Sequence, residues 1–198
     1  MNFKLFNCII KINFSFLLLL TLALYLNKKN FLLLIISAVI HELSHIVAML
    51  LVKIPIREIN VSAFDFEIKK NIEDTNKTFF VLIAGPICNL LIFLLFFMFR
   101  STIFFNDTFK IFFINNLFLF LLNILPIYSL DGGQILYYFL TKKLDIVKSN
   151  KILDVLSFTF SLVLIALGVY ILIKSRYNYS LLFLGLYLMF TIILKNNF

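Results

Sequence analysis

The sequence predicts an all-α membrane protein, with six transmembrane helices and a short β-hairpin-like segment between the second and third. Three observations predict it. Of its 198 residues, 62% are hydrophobic, whereas a soluble domain is nearer half apolar and counts Gly in that half. The apolar residues fall in six runs, at about 6–26, 31–52, 78–99, 111–128, 152–173 and 178–194, each near the roughly 20 residues a helix needs to cross a bilayer. The break at 53–77 is different in kind. It alternates as Ile59-Asn60-Val61-Ser62 and then Phe64-Asp65-Phe66-Glu67-Ile68-Lys69, the period of short strands.

The first run follows Lys4 and Lys11 and ends in Leu24-Tyr25-Leu26-Asn27-Lys28-Lys29. No small-residue cleavage site follows it, so it reads as a retained span rather than a signal peptide. All six runs read as helices, because backbone groups in lipid must be satisfied within the segment. Six spans leave no room for a large soluble domain, so 1–198 reads as a single membrane-embedded domain. With six spans both termini share a side with the second and fourth loops. That side holds 12 of the 18 Lys and Arg residues, so both termini are expected in the cytoplasm.

The formal net charge is +8, but the basic residues are scattered between apolar runs. Topology and lipid headgroups account for them, and nucleic acid is not an expected partner. Cys8 and Cys88 both fall in apolar stretches and read as packing residues, not a disulfide.

The chemistry concentrates in two runs. The second contains Ile40-His41-Glu42-Leu43-Ser44-His45-Ile46, an HExxH pattern. Residues four apart share a helix face, so both imidazoles reach one ion. Glu42 is turned toward a water at the metal rather than the metal itself. Zinc lowers the pKa of such a water toward about 7, and a carboxylate then takes its proton. Ionisable side chains are costly in a bilayer and persist mainly where they act.

A catalytic zinc takes three protein ligands and keeps one position open. Apart from Glu42 and Asp131, the acidic residues lie in hydrophilic breaks, so Asp131 is the natural third ligand. A turn aspartate before Gly132-Gly133 is the other reading of it. Upstream, Pro126 opens its helix by removing a backbone donor. Such a break is tolerated at membrane depth only where it lines protein or water, and hydrolysis needs water. Asn123 either steadies an oxyanion or the substrate backbone, or bonds a neighbouring helix.

HExxH in one span, with N-x2-P-x4-D-G in a later one, resembles the site-2 protease family of intramembrane metalloproteases. Ala84-Gly85-Pro86-Ile87-Cys88-Asn89 is similar to that family's AGPxxN element. Ser44 stands where the family often has Gly. The similarity covers the Lys11 region to about residue 140, is most specific over Asn123–Leu136, and lies nearest the sporulation branch. It implies a six-span core and a Zn2+ site open to the cytoplasm. It also implies cleavage of membrane-associated proteins, which in that branch means a sigma-factor precursor, and it leaves room for membrane-bound regulators. By position, His41, His45 and Asp131 would hold the metal and Glu42 would be catalytic. Asn123, Pro126 and Asn89 would shape the site. That branch usually carries a soluble nucleotide-sensing CBS domain, and the chain ends at Phe198 without one. The alternative is a catalytically inactive membrane homologue that binds clients, which would not need Glu42. A metal transporter would string more ligands along a path. Because a helix hides its carbonyls, a substrate must be extended to be cut, and the Ile59–Lys69 segment is expected to offer it a strand edge.

Overall fold

The computed structural model describes residues 2–5, 8–12, 29–54, 56–61, 66–70, 75–98 and 106–196. They belong to two compact units, Met1–Phe120 and Leu121–Phe198.

The first unit begins with β1 (Asn2–Leu5) and β2 (Cys8–Ile12). Then come α1 (Lys29–Leu51), β3 (Ile56–Val61), β4 (Phe66–Lys70), α2 (Thr75–Met98) and most of α3 (Asp107–Asn123). The strands form one sheet in the order β1-β2-β3-β4. β1 and β2 pair antiparallel, β2 and β3 parallel with Ile9 opposite Glu58, and β3 and β4 antiparallel with an irregularity between Ile56 and Glu58. Parallel neighbours need a long crossover, and α1 lies within it.

This corrects the expected fold class in three places. The chain is not all-α with a lone hairpin: 56–70 contributes the last two strands of a four-stranded sheet. β3 is paired on both sides, so of the Ile59–Lys69 segment expected to offer an edge only the β4 part stands at the end of the sheet order. The expected first span, 6–26, contains β2, and 13–28 lie outside the described residues. A short apolar strand and the start of an apolar helix have the same hydropathy, so the run could not separate them. Nor are six spans found. Among the described residues, three helices are long and apolar enough to cross a membrane: Lys29–Leu51, Lys77–Met98 and Ile146–Ser175. Ser180–Leu194 is apolar but shorter.

α1 buries every fourth residue, Ser37, His41, His45 and Met49, and packs against α2. Its end is fixed by a left-handed Lys53 (φ 56°). That bend returns the Ile54 N–H to the Met49 carbonyl at 2.9 Å, a helix-end closure of Schellman type. Met49 and Ile54 then pack on Val81 of α2. α3 joins this pair through Phe96, whose ring meets those of Phe109 and Phe112. A buried bond from Asn116 Nδ2 to Ser37 Oγ, 3.1 Å, ties α3 to α1. The outward face of α1 is apolar, with Leu43, Val47 and Leu50 all more than half exposed, a surface suited to lipid.

The second unit holds a break at Ile124–Leu130, then α4 (Asp131–Thr141), α5 (Ile146–Ser175) and α6 (Ser180–Asn196). The expected run 111–128 is thus cut short at Asn123, because Pro126 has no N–H to continue the helix. α5 and α6 form an antiparallel hairpin around a left-handed Arg176. A Cβ on Gly168 would lie 2.6 Å from Leu182 Cα. The absence of a side chain lets the two backbones approach, as small residues do between membrane helices.

Candidate metal centre

The stripe of α1 that faces α2 puts His41 and His45 side by side, 4% and 7% exposed. Their Nε2 atoms are 3.2 Å apart. Two imidazoles bound at zinc's usual 2.0–2.1 Å in tetrahedral geometry would hold their nitrogens about 3.3 Å apart, so the pair fits one ion.

The opposite ring nitrogens are held by α2. His45 Nδ1 donates to the Val81 carbonyl at 2.7 Å, which leaves Nε2 as a lone pair for a metal. His41 Nδ1 meets Asn89 Nδ2 at 3.0 Å. Asn89 is fully buried and its Oδ1 has no partner among the described groups. When Nε2 of His41 serves a metal, Nδ1 carries the proton, and a half-turn of the amide brings the unpartnered Oδ1 to accept it. Both arrangements use the same contact.

Between these two grips lies Gly85. A Cβ there would stand 2.6 Å from His41 Cε1 and 2.7 Å from His41 Nε2, and closer still to His45 Nε2. Val81, Gly85 and Asn89 are four residues apart, one stripe of α2. It grips one imidazole, makes room for both and grips the other. Asn89 was legible in the sequence; the roles of the Val81 carbonyl and Gly85 were not. The signal for Gly85 was its place four residues before a polar Asn in an apolar run.

Glu42, the next residue after His41, is half-buried. Asp131 is half-buried and opens α4, where a carboxylate suits the positive end of the helix dipole. His41 and His45 belong to the first unit and Asp131 to the second. Two imidazoles and a carboxylate are a donor set zinc takes. Asn123 is the last residue of α3 and Pro126 lies in the break; both are half-buried. A Cβ on Gly132 or Gly133 would run into the carbonyls of Ile124 or Ile127, so the two glycines let the start of α4 sit against the break.

Three comparisons bear on this arrangement. Residues 100–167 match the family model Peptidase family M50, a stretch that includes the break and Asp131. Stage IV sporulation protein FB of Bacillus subtilis is 29% identical over 143 residues, 70% of this chain. The match takes in 49% of that protein, so the chain spans about half the length of the curated relative. In fold, the chain is similar to the Site-2 Protease from Methanocaldococcus jannaschii. The TM-score is 0.69 at 24% identity, over 97% of this chain and 93% of that one. The chain is thus similar to peptidase family M50 over residues 100–167 and to a site-2 protease in fold.

Proposed function

We propose that the chain is a membrane-embedded zinc metalloprotease that hydrolyses peptide bonds of membrane-associated proteins, with 1–198 acting as one catalytic domain. The observation that carries this is the pair of buried imidazoles, Nε2 to Nε2 at 3.2 Å, with both Nδ1 atoms engaged from α2. Interior histidines held only for packing have no need to bring their Nε2 atoms together.

His41, His45 and Asp131 would hold the metal. Zinc, when bound there, polarises the scissile carbonyl and makes water a better nucleophile. Glu42 takes the proton from the attacking water and returns it to the leaving amine. Asn89 and Val81 keep the two rings oriented. Asn123 is the candidate donor to the substrate, and Pro126 opens the backbone ahead of Asp131. The Lys142, Lys143, Lys148 and Lys151 segment faces the cytoplasm by its charge, and the site opens to that side. A sporulation sigma-factor precursor is the finer substrate proposal. It is motivated by the name of the Bacillus relative and by the sequence resemblance. An inactive client-binding homologue finds no observation in its favour, since Glu42 is intact.

The test is cleavage of co-expressed membrane-associated candidates, sigma-factor precursors among them, with zinc content measured on the purified protein. Glu42→Gln keeps the metal and lowers cleavage by at least about 100-fold. Asp131→Ala loses metal. Undiminished cleavage by Glu42→Gln would sink the assignment.

A further inference from the structure

The break at Ile124–Leu130 arranges part of its own backbone. The Leu125 N–H reaches the Leu122 carbonyl at 3.1 Å, that of Ile127 reaches Leu125 at 2.8 Å, and that of Leu130 reaches Ile127 at 2.9 Å. Further bonds come from α5. The Tyr128 N–H donates to Ser157 Oγ on α5, 2.9 Å away, and that hydroxyl in turn lies 3.5 Å from the Pro126 carbonyl it donates to. Ser157 is fully buried. A single hydroxyl thus serves a donor and an acceptor on both sides of Ile127.

Ile127 itself, also fully buried, is inserted among Leu188 and Ile192 of α6. The break is therefore fastened twice, by an apolar plug and by a hydroxyl clamp. Three residues beyond Tyr128 the chain enters α4, and the first residue of α4 is Asp131.

We propose that Ser157 is a positioning residue for Asp131. By holding the Tyr128 N–H and the Pro126 carbonyl it sets how the break hands the chain to α4, and so where the carboxylate stands. This rests on the metalloprotease reading. Serine in an apolar helix is otherwise unremarkable, and α5 supplies its own comparison. Ser149 and Ser161 share the same buried stripe, and their hydroxyls have no partner among the described groups. Ser157 is the member of the stripe that bonds the break. An unclamped Tyr128 N–H and Pro126 carbonyl would sit at membrane depth without that partner, and the segment would shift to find others.

The test uses the whole chain in detergent, with two readouts. Zinc affinity is measured by competition with a chelator, and hydrogen exchange is followed at the Tyr128 amide without added zinc. Outer groups that orient a ligand are worth about 10- to 100-fold in metal affinity. Ser157→Ala and Ser157→Cys are expected to lose that much, Cys because its sulfur keeps the volume but is a weak acceptor. Ser157→Thr keeps the hydroxyl and stays near wild type, and Ser161→Ala is unchanged. Exchange at Tyr128 quickens in the Ala and Cys variants alone. Wild-type zinc affinity in Ser157→Ala overturns the proposal, as does an equal loss in Ser161→Ala, which would mark mere packing along the stripe. If the wild-type chain takes no zinc, the metalloprotease reading is what fails. In that case unchanged exchange at Tyr128 in Ser157→Ala would still overturn the clamp.

Discussion

Gly85 lacks a side chain where two imidazole nitrogens occupy the space one would need. Gly85→Ala therefore moves rings rather than surface atoms. It is expected to lower zinc affinity by more than 100-fold, beyond the about 10- to 100-fold of an outer-group loss, as metal content after purification would report. Asn89→Ala acts more gently. It strips the partner from His41 Nδ1 and costs zinc affinity about 10- to 100-fold, read by chelator competition. At this scale the sequence was most legible where chemistry and geometry coincide within one helix. HExxH needs only the i, i+4 rule to bring two rings together, and Asp131 stood out as an acid closing an apolar run. The Val81 carbonyl and the Ser157 hydroxyl were not legible. Any residue has a carbonyl, and serine in an apolar helix has no meaning until the segment it faces is known.

Among elements, the α5–α6 hairpin depends on close approach at Gly168. Gly168→Ala sets a methyl against the Leu182 backbone. Overpacking of this kind costs about 1–3 kcal/mol, to be seen as a lowered midpoint in detergent unfolding while zinc affinity stays at wild type. An unchanged midpoint would mean that the hairpin simply opens to accept it. The long helices were legible from hydropathy because length and composition decide them. What failed was the type of the short elements. Cys8–Ile12 was absorbed into a span because three apolar residues in a row suit a helix as well as a strand, although Phe3-Lys4-Leu5 already alternates as a strand does. The end of α3 at Asn123 was signalled by Pro126, but hydropathy alone carried the run on to Tyr128.

For the whole chain, the orientation proposal no longer needs a count of six spans. α5 and α6 are antiparallel, so the end of α6 lies on the side where α5 begins, next to Lys142, Lys143, Lys148 and Lys151. A reporter fused after Phe198 is expected to register the cytoplasm, and an external signal would reverse the access side with it. The start of α5 also sets a depth. Lys148, Lys151 and Asp154 occupy its first turns, and charges of that density stay at the headgroups. The apolar stretch that follows is close to the thickness of a hydrocarbon core. Ser157 comes three residues after Asp154, a rise of about 5 Å along the helix. The clamp, and the break it holds, therefore lie just beneath one face of the bilayer rather than at its midplane. On the proposed function, a peptide bond brought to Asp131 would have only a shallow layer of lipid to leave behind, and water the same short distance to travel inward.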